Sequence, residues 1–97
     1  MARFTVYRVR GTYVVDCQAD ILNHLGSHMV APLLPPADLR RDIPRLHPLF
    51  ELDGKPYVMA THLLATVPAR ELESPLANLR VRQDEIMAAL DMLLTGF

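Results

Sequence analysis

In Leu49-Phe50-Glu51-Leu52, Asp53-Gly54-Lys55-Pro56 and Tyr57-Val58-Met59-Ala60, two apolar runs flank a turn sequence. Asp-Gly between two apolar runs is the strongest short-range signal for a β-hairpin, because both residues accept the positive φ that a two-residue turn demands. An antiparallel pair is therefore expected here. Downstream, Thr61 to Val67 can continue as another strand ending at Pro68, and Ala69 to Pro75 reads as a linker. Upstream, Asp38 to Leu46 mixes Arg40, Arg41 and Arg45 with Asp38, Asp42 and Pro44, which suits a solvated connection holding at most one short helical turn. Before it, Pro35-Pro36 stops a strand over Met29-Val30-Ala31-Pro32-Leu33-Leu34, whose internal proline cannot donate to a ladder and so suggests an edge or a bulge.

The chain opens with a second hairpin. Phe4-Thr5-Val6-Tyr7-Arg8-Val9 is rich in aromatic and β-branched residues, Gly11-Thr12 reads as a tight turn, and Tyr13-Val14-Val15-Asp16-Cys17 returns. From Gln18 to Ser27 the pattern breaks at the turn formers Asp20, Asn23 and Gly26, yet Ile21 and Leu22 stand between them. Apolar residues in such a loop either plug the end of a barrel or face a partner.

Leu79 to Phe97 changes the period. Leu79, Ile86, Leu90, Leu93 and Phe97 recur at helical spacing, with Met87 and Leu94 one position over, while Arg82, Asp84, Glu85 and Asp91 take the other side. Such a helix lies on a core, and Met87, Leu90 and Leu94 are assigned to that core in preference to an interface. Gly96 is a natural helix stop, and Phe97 beyond it either folds back onto the helix or forms a tip that a partner recognises. The fold class that follows is mainly β with one C-terminal α-helix, an antiparallel sheet rolled into a small barrel over residues 1–97 as one domain.

Composition narrows the functions. A chain of 97 residues with 51% hydrophobic residues can build one small core, and so high an apolar fraction favours burying further surface in a homodimer. A net charge of -1 disfavours nucleic acid as the default partner, since phosphate binding needs concentrated Lys and Arg. Cys17 has no cysteine to pair with and suits a small buried strand position. No apolar run approaches a membrane span and no signal-peptide order opens the chain, so a cytoplasmic location without membrane contact is expected.

Catalytic motifs are scarce. No Gly-rich phosphate loop or Cys-x-x-Cys pair is present, and His24 and His28 lie across Gly26, which favours solvated loop histidines over a metal site. Neither Ser27 nor Ser74 sits in a nucleophile elbow. A metal-free ribonuclease would need a base, an acid and a cation, and His47, His62 and Arg40 or Arg41 could converge in that way.

Phe4-x-Val6-Tyr7, Val15-Asp16-x-Gln18-x-Asp20-Ile21-Leu22, Met29-Val30-x-Pro32-Leu33, Thr66-Val67-Pro68 and Gly96 together resemble CcdB, the toxin of a bacterial type II toxin-antitoxin pair. The likeness runs nearly the whole length in the same order. It implies a dimeric SH3-like barrel of the CcdB/Kid/MazF type with a C-terminal helix. It also implies binding to the A subunit of DNA gyrase, trapping of the DNA-cleaved complex, and neutralisation by a CcdA-like antitoxin whose disordered C-terminal segment wraps the toxin. By position, the gyrase-facing surface falls on Ile21, Leu22, Asn23, Asp91, Thr95, Gly96 and Phe97. The resemblance implies no enzyme, no catalytic residue, no cofactor, no metal and no direct contact with nucleic acid.

One departure stands out: the family ends in Trp-Gly-Ile, and here Thr95 takes the tryptophan's place. An indole stacks on an arginine with a gain on the order of 1–2 kcal/mol when desolvated, and threonine cannot. Either Phe97 supplies a ring instead, or the chain keeps the fold and antitoxin binding without poisoning gyrase. The same barrel in Kid and MazF cleaves messenger RNA, so fold alone does not separate poison from ribonuclease, and a pure binding module is the third reading.

Overall fold

A computed structural model describes residues 2–96. Seven antiparallel strands form one sheet in the order β4-β5-β3-β2-β1-β7, with β6 paired to β3. They are β1 (Thr5–Val9), β2 (Thr12–Asp16), β3 (Ser27–Leu34), β4 (Leu49–Leu52), β5 (Lys55–Met59), β6 (Ala65–Pro68) and β7 (Glu73–Asn78). The helix α1 spans Gln83–Thr95 and follows a single 3-10 turn over Arg80–Arg82.

Both expected hairpins form, the first with its turn at Arg10-Gly11 rather than at the expected Gly11-Thr12, which is one residue later. At the β4–β5 turn Asp53 and Gly54 take φ values of 52° and 76°, and at the β1–β2 turn Arg10 and Gly11 take 50° and 83°. Two consecutive positive φ angles match the twist of the flanking strands, so each pair leaves its turn in register: Leu52 opposite Lys55, Val9 opposite Thr12.

The placement of β3 corrects the sequence expectation. Rather than an edge, it is the most shared strand, paired with β2 along one side and with β6 and then β5 along the other. Cys17 N–H donates to Met29 C=O, and alternation from there puts Pro32 in a non-hydrogen-bonded pair with Val14. The nitrogen of Pro32 therefore faces away from β2, into the gap between the pairing with β6, which stops at Val30 of β3, and the pairing with β5, which starts at Leu33 of β3. No ladder bond is lost there, and the Pro32 carbonyl still accepts from Ala60 N–H.

Two further expectations fail. Thr61 does not start a strand: Thr61–Leu63 is a 3-10 turn and only Ala65–Pro68 is extended. The supposed linker holds a 3-10 turn at Ala69–Glu71 and then β7, an exposed edge strand against β1. Its sequence ESPLAN carries no β-branched residue, so nothing in its composition announced it. The positive φ of Ser74 accompanies the shift of register opposite Val6 and Arg8.

Period-2 alternation buries both faces of the central strands. Val6, Val15, Ala31 and Leu33 pack with Phe4, Phe50, Met59, Ile86 and Leu90 beneath α1, while Tyr7, Val9, Val14 and Val30 pack under Val67 and Leu72. Helix residues Ile86, Ala89 and Leu90 are buried and Met87 is partly so; Leu94, assigned to the core by its spacing, is 73% exposed. The helix ends at Gly96, whose left-handed φ of 82° lets its N–H reach Met92 C=O. Among the described residues no helix is long and apolar enough to cross a membrane.

The polar exception lies on the second face. His28 Nδ1 meets Asp16 Oδ2 at 2.8 Å with both side chains fully buried, a cross-strand diagonal pair rather than the solvated loop histidine expected. Cys17 is buried as expected, and burial pushes its thiol up to about 12, so it stays protonated. Removing one partner of a buried pair strands the other. Asp16→Ala should lower unfolding free energy by about 3 kcal/mol or more in urea titration; a loss below about 1 kcal/mol would mean that His28 needs no partner.

Candidate functional site

The segment between β2 and β3 is short, apolar at its tip and tied down at its base. Asp20–Leu22 forms a 3-10 turn closed by Leu22 N–H to Ala19 C=O and Asn23 N–H to Asp20 C=O. Asp20 anchors it twice, accepting from Arg3 N–H at 2.7 Å and from the Arg80 guanidinium at 3.3 Å. The Arg3 amide first, and Arg80 after it, hold the Asp20 carboxyl below the usual carboxylate range. Gln18 closes the base: its amide N–H donates to Leu22 and Ser27 carbonyls, and its amide oxygen accepts from Met29 N–H.

That framework holds Ile21 outward at 82% exposure, with Leu22 and Leu25 also exposed and Asn23 half-buried. Ile21 and Leu22 therefore do not plug the barrel. At the chain's other end, Asp91, Thr95 and Gly96 are exposed, and the Thr95 hydroxyl donates back to Asp91 C=O at 2.6 Å. Phe97 lies outside the described residues. The turn is bonded to Arg80, just before the helix, whereas Thr95 and Gly96 bond back into the helix's last turn, and α1 is about 20 Å long. Arg3 and Arg80, which anchor the turn, are absent from the sequence expectation because nothing local ties residues so far apart in the chain, whereas Gln18, close in sequence, enters it only through the resemblance.

A second cluster forms where the 43–48 turn meets the 3-10 turn after β5. Thr61 Oγ donates to Leu46 C=O at 2.5 Å, and Met59 N–H to Pro48 C=O at 2.9 Å, stapling the two turns together. Across that seam His47 Nε2 lies 3.0 Å from His62 Nδ1, with the rings edge to face. Arg41 Nε donates to the His47 carbonyl at 2.6 Å, leaving its guanidinium on an exposed residue beside the pair. Of the set that could converge, His47, His62 and Arg41 do so; Arg40 pairs with Asp42 instead. A cleft of about 130 Å³ lined by Pro44, Arg45, Pro48, Glu85 and Ala88 opens next to Pro44 and Pro48, which flank His47.

His47 is buried and His62 exposed, so the two rings are not equivalent. Burial first, then the neighbouring His62, push the His47 pKa below its ordinary value; Asp42 pulls the other way, and Arg41 adds the smallest downward push. The shift favours the neutral form of His47 beside the exposed His62 ring.

Comparison with known proteins agrees with the fold. A family model described as CcdB protein matches residues 3–96. Among solved structures, an endoribonuclease from a mycobacterial species superposes with a TM-score of 0.77 at 21% identity, covering 97% of this chain and 90% of its own. An endoribonuclease in complex with its cognate antitoxin, also mycobacterial, gives 0.76 at 21% identity, covering 97% and 94%. A toxin titled as from Mtb gives 0.74 at 16% identity, covering 95% and 99%. At such identities the likeness establishes the fold. It also overturns the expectation of a non-enzyme: endoribonucleases share this architecture nearly end to end, so the fold is one that carries catalysis.

The His47 shift sets a pH dependence. Its folded pKa lies below the unfolded value near 6.5, so the stabilisation is present above that value and is lost as pH falls through it towards the folded pKa. The urea midpoint should therefore drop between about pH 7 and pH 5, and His47→Gln should flatten that slope; an unchanged slope in the variant would remove His47 as its source.

Proposed function

The chain belongs to the CcdB family of toxins, and on that footing we propose that it is the toxin of a toxin-antitoxin pair that binds the A subunit of DNA gyrase and traps the DNA-cleaved complex. The observation that carries this reading is Ile21, a large apolar side chain 82% exposed on a turn held rigid by Asp20 and Gln18. A flexible loop would lose entropy on docking; a pre-formed one loses little, so burial of Ile21 goes into affinity. Full burial of such a side chain is worth about 1.5–3 kcal/mol.

The other contacts by position are Leu22 and Asn23 on the same turn and Asp91, Thr95, Gly96 and Phe97 at the helix end. A homodimer would bring the turn of one copy and the helix end of the other towards one two-fold symmetric target. Exposed Val81, at 92%, and Leu94, at 73%, support burial of further surface against a second copy. One similar endoribonuclease was solved with its cognate antitoxin, which supports a CcdA-like peptide antitoxin as the neutralising partner here. The site of action is the cytoplasm, where gyrase and DNA meet.

In a gyrase cleavage assay with supercoiled DNA, Ile21→Ala should weaken poisoning by roughly tenfold or more while leaving the thermal midpoint unchanged. Thr95→Trp, which restores the family's aromatic, should strengthen it by roughly fivefold to thirtyfold. Undiminished poisoning by Ile21→Ala would take the turn out of the interface. A parent that never traps cleaved DNA yet binds an antitoxin peptide would be a homologue that has kept only the fold and that partner.

A further inference from the structure

The His47–His62 cluster lies on residues that the gyrase reading does not use, and it joins the groups that RNA cleavage requires. RNA carries its own nucleophile, the 2'-hydroxyl, next to the scissile phosphodiester. A protein therefore needs only to take that proton, steady the phosphate's charge and position both. His62 is an exposed imidazole, His47 a buried one bonded to it at 3.0 Å, and the Arg41 guanidinium is held beside them by the His47 carbonyl. We infer that this cluster is a metal-free RNA-cleaving centre, with His62 as the proton-transfer group, Arg41 as the phosphate-facing cation and His47 as a positioning residue.

The roles follow from exposure. Only His62 can reach a substrate, and it is a base only if its solvent-facing Nε2 is bare. That requires the proton on Nδ1, donated to Nε2 of a neutral His47. The bond is set by the seam between the two turns, through Thr61 to Leu46 and Met59 to Pro48. His47 Nδ1 then carries a proton in a buried place where it has no partner among the described residues. This arrangement competes with the reverse tautomer, which would present an N–H to solvent, and any substitution at His47 shifts that balance.

The step balances without a co-reactant. His62 Nε2 removes the 2'-hydroxyl proton, the 2'-oxygen forms a bond to phosphorus, and the bond from phosphorus to the 5'-oxygen breaks. The products are a 2',3'-cyclic phosphate and a 5'-hydroxyl whose proton comes from water. The imidazolium on His62 then returns its proton to the hydroxide so formed. DNA lacks the 2'-hydroxyl and cannot follow this route. Arg41 stands opposite the negative charge that develops on the phosphoryl oxygens.

The test uses the full chain with a short single-stranded RNA, the matching DNA and excess chelator. The expected result is cleavage of RNA alone, leaving 2',3'-cyclic phosphate ends. His62→Ala should abolish it by about 100-fold or more, within the range for general acid-base groups, with circular dichroism unchanged because His62 is exposed. His47→Leu should slow cleavage and move its pH profile, whereas His47→Gln, whose amide oxygen can accept from His62, should recover most of the rate. Absence of RNA cleavage by the folded parent, or cleavage that survives His62→Ala, would overturn the inference. Gyrase poisoning measured on the same His62→Ala protein should be unaltered, and its loss would instead merge the two sites.

Discussion

The sheet hangs on one strand. β3 is bonded along one side to β2, and on the other it is divided between β6 over Ser27–Val30 and β5 over Leu33–Leu34. A strand with two different neighbours on one side must change partners somewhere, and the change falls where Pro32 has no N–H to offer. On that divided side the chain passes from β5 to β6 through the Thr61–Leu63 turn, which Thr61 Oγ ties to Leu46 C=O in the segment that carries His47. On the β2 side, residues 17–26 join β2 to β3 and carry the Ile21 turn.

Two modes of holding a side chain in place are visible, and they differ in cost. At the Ile21 turn an apolar side chain is exposed while carboxylate, guanidinium and amide groups at its base satisfy one another. Exposure of one isoleucine is cheap and common, so only its rigid anchoring distinguishes it. At His47 and His28 the reverse holds: polar rings are buried, each with one nitrogen bonded and the other without a partner among the described residues. A buried unpaired nitrogen is tolerated only where packing over-determines it. The Asp16–His28 pair lies between β2 and β3, and its service is to the sheet; the His47 pair opens to solvent through His62, which is why chemistry is assigned there.

Much of this was legible in the residues, and the losses have physical causes. Asp53-Gly54 and Gly11 marked their hairpins because positive φ is a local demand that few residues meet. The helical period from Leu79 onwards marked α1, yet it assigned Leu94 to the core, since periodicity reports a face and not how far along it burial extends. β7 escaped notice because an exposed edge strand needs no apolar alternation, and its evidence is the pairing with β1, far away in sequence. Pro32 misled for a related reason: a missing donor argues for an edge only if both sides of the strand are continuous. His28 was read as a loop residue although it stands two positions before Val30, on the same face, where alternation would have buried it. Of the site, the turn's apolar character was plain, but the anchors Arg3 and Arg80 come from distant parts of the chain. The contact between His47 and His62 joins residues 15 apart in the chain through a seam between two turns, which no local pattern encodes.

The most direct measure of the central claim, that the anchored Ile21 turn faces a protein partner, is amide hydrogen exchange on the full chain with and without a gyrase A fragment. Slowed exchange is expected only at the amides of residues 19–23 and the helix end, with the sheet unchanged. Slowing at residues 41–47 and 61–63 with none at residues 19–23 would contradict it.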